Sequence, residues 1–227
     1  MLCHPASQGC RVWVNQRTAF AQAGYRVIGY SGHGHGRSEF GPVGRPGTTV
    51  DDLRNWIQAL SIDGAQMLGA AAGGITALGF ATIYPDRVDR LVLVGTILTP
   101  NEEQWRAMHA RLGIAKVRHA ASTEFLKLGP PYRASHYEGV EPFTNLSRQA
   151  IDSKGDFTQP TRAVAYWKTL QEVRAPVLLL TAEADLYPPP PMQELIANHL
   201  QDHRLVTLPQ LVMRLIWKFP ISSTTPS

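Results

Sequence analysis

Hydrophobic and polar positions in the first hundred residues alternate between short apolar runs and amphipathic stretches. Residues 25–30, Tyr-Arg-Val-Ile-Gly-Tyr, are rich in β-branched and aromatic side chains and predict a buried strand. A glycine-rich turn follows from Ser31 to Ser38. Thr49 is then the expected N-cap of a helix, with Asp51 and Asp52 in the first turn, where the helix dipole favours acids. Leu53, Trp56, Ile57 and Leu60 recur at helical spacing and define one apolar face. Residues 65–69 form a short strand that runs straight into Ala70-Ala71-Ala72-Gly73-Gly74. A helix of small and apolar residues continues from Ile75 to Ile83 and stops at Tyr84-Pro85, because proline cannot continue it. Residues 90–94 are almost continuously apolar, as a strand buried on both faces of a parallel sheet must be. Strand and helix in this alternation predict βαβ units.

The pattern changes between about residues 97 and 172. That segment is helical and more polar, broken at Gly129-Pro130-Pro131-Tyr132, and reads as an insertion or cap over the sheet. Sheet-like runs resume at residues 175–181 and 204–208, with a helix over 192–200 between them and a rigid extended stretch at 188–191. The expected organisation is an N-terminal part of the core over 1–96, a helical cap over 97–174 and a C-terminal part of the core with an atypical tail over 175–227. No internal repeat is present.

Composition narrows the function classes. The chain has 227 residues, 44% hydrophobic and 18% charged, in the range of one soluble globular domain. Its net charge of +4 is scattered along the chain, whereas a nucleic-acid partner needs a clustered basic face. No signal-peptide pattern and no run of about 18 apolar residues is present, so no membrane partner and a cytoplasmic location are expected. Cys3 and Cys10, without metal spacing, read as reduced thiols. His33 and His35 have His-x-His spacing but no evident third ligand, so they read as turn residues beside a cleft and no metal is expected. Ser7, Ser31 and Ser38 read as turn hydrogen-bonding groups. Trp105, Tyr132, Tyr137, Phe143 and Trp167 are either core of the helical segment or the lining of a ligand pocket.

Three motifs, in this order, carry a resemblance. Gly34-His35-Gly36-Arg37-Ser38 is similar to a Gly-x-Gly-x-Ser turn, Tyr84-Pro85-Asp86-Arg87-Val88 to a His-Pro-Glu-Arg-Val segment, and Ala182-Glu183-Ala184-Asp185 to a Gly-x-x-Asp turn. The chain thereby resembles the α/β-hydrolase family from Met1 to about Leu208. The resemblance implies an α/β fold, a mostly parallel sheet flanked by helices, with a helical cap. It also implies hydrolysis of a small ester, lactone or related carbonyl compound, with no cofactor and a small molecule as the partner. The family's nucleophile sits in Gly-x-Ser-x-Gly on a sharp strand-to-helix turn. Here the turn reads Gly69-Ala70-Ala71-Ala72-Gly73, so Ala71 holds the nucleophile position without a nucleophilic atom. In subtilisin, losing the nucleophile costs roughly a millionfold in kcat, while binding and the oxyanion hole retain about 10³–10⁴ over water. By the same resemblance Asp185 is the acid position, and the Ala6 and Ala72 N–H groups are the oxyanion donors. Pro5 stands where the family has glycine beside Ala6.

The two ends depart from the family pattern. If His4 marks the end of the family's third strand, two earlier strands are missing, and an N-terminal truncation is expected. After Leu208 the family carries Gly-His, four residues, then Glu-x-Pro. None of the eight histidines here follows His203. Back-translation in the neighbouring frame permits Gly-His across residues 211–213, requires Glu across Trp217/Lys218 and gives Ser or Pro across Phe219/Pro220, at the family's spacing. A frame change near Gln210 is therefore expected. With edge strands and a final helix lost, the chain is expected to expose apolar sheet surface and to aggregate or need a partner. Three functional readings follow: an inactive or strongly impaired hydrolase homologue; a non-nucleophilic enzyme using a bound water and a base from Asp185, His33 or His35; or a ligand- or partner-binding module. The sequence does not indicate an oligomeric state.

Overall fold

The computed structural model describes residues 1–42, 44–98, 101–113, 121–154, 157–162 and 166–209. Among the described residues, five parallel strands lie side by side in chain order: β1 (Leu2–Cys3), β2 (Ala65–Ala70), β3 (Val88–Val94), β4 (Val177–Ala182) and β5 (His203–Leu208). The chain is thus an α/β fold with a parallel sheet flanked by helices, as its alternating pattern predicts. Parallel neighbours need crossover connections. Helices supply them: α1 (Val14–Gln22) and α2 (Thr49–Ala59) before β2, and α3 (Ala72–Ile83) between β2 and β3. Between β3 and β4 stand α4 (Glu103–Leu112), α5 (Thr123–Lys127), α6 (Pro130–Ser135), α7 (Tyr137–Lys154) and α8 (Trp167–Gln171); α9 (Pro190–Ala197) leads into β5.

The core follows from the apolar periodicities. Met67, Leu91, Leu93, Val177 and Leu179 are buried along the strands, and Val50, Leu53 and Ile57 of α2 pack against them. Each such side chain contributes about 1.5–3 kcal/mol by leaving water. Trp56 departs from the predicted face and is 45% exposed, because Val50 rather than Trp56 completes the buried stripe of α2. In the helices between β3 and β4, Trp105, Tyr132 and Phe143 are buried, whereas Tyr137 is exposed. Trp167 stacks on His199, with ring centroids 4.1 Å apart.

Three local expectations change. The predicted strand at 25–30 is reduced to one bridge, Leu2 with Gly29, and a hydrogen bond from Leu2 N to Ile28 O at 2.8 Å. Its β-branched residues do sit beside β1, but that neighbour has only two residues and supports no longer ladder. The cap of α2 is Thr48 rather than Thr49: its hydroxyl oxygen accepts from the Asp51 N–H at 3.1 Å. The prolines at 188–191 do not form one extended stretch. Pro190 and Pro191 open α9, where a missing N–H costs nothing because the first turn has no partner for it.

One close approach positions everything at the C-terminal ends of the strands. A Cβ placed on Gly73 would collide with the Cys3 carbonyl oxygen, and one on Gly74 with the Thr96 hydroxyl. The first turn of α3 therefore packs backbone-to-backbone against the end of β1. Gly73→Ala is expected to cost about 3 kcal/mol or more by overpacking. Urea denaturation checks this, and a variant as stable as its parent would show that the approach is not obligatory.

Candidate active site

All four predicted site residues lie at the C-terminal ends of strands, where open α/β sheets bind ligands. Ala6 follows β1, Ala71 and Ala72 follow β2, and Asp185 follows β4. The turn after β2 is sharp. Ala71 takes φ 49° and ψ −117°, a conformation that an L-residue adopts only under constraint, at about 1–3 kcal/mol. Its N–H donates to Val94 O at 3.0 Å on β3, and its carbonyl accepts from Gly74 N at 3.0 Å. The turn is thus fixed from both sides, and it lifts a methyl group to the tip where the sequence pattern places a nucleophile. That methyl is almost buried, packed with Ile97 and Tyr187.

Tyr187 reaches Ala71 from the loop after β4, and Asp185 shapes that loop. Asp185 is buried; its Oδ1 accepts from the Tyr187 N–H at 2.9 Å, and its own N–H donates to Ala182 O at 3.1 Å. The carboxylate therefore organises the turn that carries Tyr187, a neighbour of Ala71.

The Ala6 loop is held by two histidines. His4 Nε2 accepts from the Gly32 N–H at 2.9 Å, which leaves the ring proton on Nδ1 to donate to Pro5 O at 2.9 Å. Burial, and then the adjacent His35, push the His4 pKa down to about 4, so the ring is neutral. His35 packs 4.7 Å from His4 between ring centroids and bridges two carbonyls, with Nδ1 3.0 Å from His33 O and Nε2 2.8 Å from Ala6 O. A neutral tautomer satisfies one of these carbonyls and an imidazolium both. His35 thereby ties the glycine-rich turn to the backbone of Ala6.

Ala6 and Ala72 line one cavity of about 140 Å³, together with His33, Asp52, Thr76 and Gln159. Ala71 and Asp185 are not among its lining residues. His33 is more than a turn residue here. Its Nε2 lies 3.4 Å from Asp52 Oδ2 and its Nδ1 3.0 Å from Glu39 O. Asp52 also accepts from Gln159 Nε2 at 2.7 Å. Sequence reasoning assigned Asp52 to the helix dipole and passed over Gln159. Their meeting depends on a contact 107 residues long in sequence, for which the local pattern holds no signal. Among the described residues, no group of three or more His, Cys, Asp or Glu side chains could hold a metal ion, and no helix is long and apolar enough to cross a membrane. Residues 210–227, which include the segment where the frame change is expected, lie outside the described residues.

A strained strand-to-helix turn after β2 and an acid-bearing loop after β4, at the C-terminal ends of a parallel sheet, make up a hydrolase-type scaffold. The family model of the alpha/beta hydrolase fold matches residues 1–210, and the chain belongs to that family. Among curated relatives, a 2-hydroxy-6-oxononadienedioate/2-hydroxy-6-oxononatrienedioate hydrolase of Paraburkholderia phymatum is 36% identical over 100 residues, which cover 42% of this chain and 35% of that protein. The matched part thus spans about a third of the relative's length. Among solved structures, a thermophilic esterase from Thermogutta terrifontis superposes with a TM-score of 0.72 at 21% identity, covering 96% of this chain and 83% of that one. The enol-lactonase from Burkholderia xenovorans LB400 superposes with a TM-score of 0.71 at 20% identity, covering 94% and 83%. At these identities the two structures bear on the fold alone.

The His4 geometry has a consequence for stability. Unfolded, a histidine titrates near 6.5; in the fold His4 titrates at about 4. Between those values the unfolded chain binds the extra proton, so stability should fall as pH drops from 6.5 towards 4, by up to roughly 3 kcal/mol. His4→Gln retains an acceptor for the Gly32 N–H and should flatten that slope. Urea midpoints taken between pH 4 and 7.5 check this, and equal slopes in both proteins would assign the acid sensitivity to other groups.

Proposed function

We propose that this chain is a hydrolase homologue whose ester-cleaving reaction is abolished or strongly impaired, on a scaffold inherited from a cofactor-independent hydrolase of small ester, lactone or related carbonyl substrates. The observation that carries this reading is Ala71 at φ 49° and ψ −117°: the strained tip is formed, and it presents a methyl group. A methyl group forms no acyl-enzyme, so the route by nucleophilic attack is closed. The sequence supports the reading further, since residues 204–227, where the family carries the base oriented by its triad acid, contain no histidine. The Ala6 and Ala72 N–H groups remain as donors for a developing oxyanion. The names of the esterase, the enol-lactonase and the dienedioate hydrolase agree with a carbonyl substrate for the parent reaction. Residues 97–174, helical over most of their described length, are the proposed cap.

A second reading is favoured by one contact, His33 to Asp52 on the cavity shared by Ala6 and Ala72. On this reading a bound water attacks the carbonyl, the two N–H groups receive the oxyanion, and the His33–Asp52 pair handles the proton. His33 and His35 both line the cavity, but the Asp52 carboxylate stands beside His33, the two ring nitrogens of His35 face backbone carbonyls, and Asp185 is not among the lining residues.

Hydrolysis of a short-chain aryl ester panel by the parent and by Ala71→Ser separates the readings. The expected outcome is no turnover above background by the parent and no labelling by a serine-directed fluorophosphonate. Ala71→Ser restores an attacking atom without a base, so at most a slow single acylation is expected of it. Parent turnover that is lost in both His33→Ala and Asp52→Asn would replace the first reading with the second.

A further inference from the structure

Apolar residues stand on both faces of the central strands, as a parallel sheet covered on two sides requires. The two faces are not equally buried. On one, Leu91, Leu93, Val177 and Leu179 are at most 3% exposed. Met192, Leu195 and Ile196 of α9 join them in a single buried cluster. On the other face, Leu68, Val92 and Leu178 stand in one row across β2, β3 and β4, and Leu180 and Val206 in the next row across β4 and β5. All five are only half-buried. Trp13 and Phe20 pack on this face from the β1 side. No such cover reaches β4 and β5 among the described residues: the helix that packs closely on these two strands, α9, lies on the opposite face.

We propose that residues 211–219 of this chain dock on that face, over Leu178, Leu180 and Val206. The connection favours it. β5 is the edge strand, and its last residue, Leu208, lies two positions after Val206 and therefore on the same face. The described chain stops one residue later, at Pro209, so the next residues start beside the uncovered rows. Residues 211–219 read Leu-Val-Met-Arg-Leu-Ile-Trp-Lys-Phe, seven apolar side chains in nine. Contact removes both apolar surfaces from water, and because that gain is non-directional it asks for no shape selected in advance. Arg214 and Lys218 keep their charges in water while their stems lie along the surface. Reach is not limiting. Two strand spacings, from β5 to β3, are about 10 Å, whereas nine residues span about 30 Å extended or about 13 Å as a helix. A second copy of the chain would have to come from solution, while the short tether through Pro209 and Gln210 holds this segment at an effective concentration on the order of millimolar. The placement goes beyond the reading of impaired catalysis and stands whether or not the chain turns over an ester.

The segment carries its own reporters, since trypsin cleaves after Arg214 and Lys218. Cleavage at these two bonds in the full chain under native conditions, followed by mass spectrometry, is expected to run at least tenfold slower than in a synthetic peptide of residues 207–227. Equal rates would overturn the proposal. A second measurement locates the contact without disturbing the sheet. With p-benzoylphenylalanine in place of Trp217, irradiation of the full chain is expected to give adducts on residues 178–180 or on Val206. A mixture of ¹⁵N-labelled and unlabelled protein shows whether each adduct joins one chain or two. Adducts within one chain support the placement. Adducts only between chains would give the face to a second copy and overturn it, as would adducts confined to other parts of the molecule or none at all.

Discussion

The molecule is organised by the close approach of the first turn of α3 to the ends of β1 and β3, where Gly73 lies against the Cys3 carbonyl and Gly74 against Thr96. Backbones that close leave no room for a gradual transition from strand to helix. The chain must reverse within one residue, and Ala71 takes the unfavourable backbone angles that result. Because β2 lies between β1 and β3, the same reversal leaves Ala72 lining one cavity with Ala6, which follows β1, and ties the Ala71 N–H to Val94 O of β3. The place of Ala72 in the proposed oxyanion pair therefore follows from packing that involves no reacting atom.

Much of this was legible because it rests on short-range patterns. Four of the five strands fall on apolar runs, and the run of small residues from Gly69 to Gly74 marks the tight turn without reference to chemistry. What the sequence missed depends on long-range partners. Residues 25–30 have strand composition, yet composition does not disclose that the neighbour available for pairing is two residues long. Thr48 and Thr49 are equally suited to cap a helix by type, and the choice between them turns on where the chain arrives from the preceding turn. Pro190 and Pro191 suit an extended stretch or a helix start equally well, and the burial of Met192, Leu195 and Ile196 decides for the helix. The cavity is the clearest case. His33, Asp52 and Gln159 come from three separate segments, none of which carries a motif for the others.

The histidines illustrate how one residue type takes different parts by environment. His4, desolvated and beside His35, is held neutral and serves as an acceptor for backbone. His35 serves as a bridge between two carbonyls. His33 faces the Asp52 carboxylate. Spacing alone groups His33 with His35 as a pair, but their side chains engage different partners, and the ring nearest to His35 is that of His4.

On the proposed reading the strain at Ala71 has no catalytic return. A backbone conformation that costs about 1–3 kcal/mol is commonly taken as a sign of function. Here the residue in that conformation has only a methyl group, which packs with Ile97 and Tyr187. The Val94 and Gly74 hydrogen bonds and the Gly73 contact with β1 account for the geometry without any reaction to select it. Strain of this origin persists for as long as the sheet and α3 stay packed, whether or not a nucleophile stands at the tip. A formed elbow is therefore evidence of descent and of packing, and the argument for activity has to come from the side chains around it.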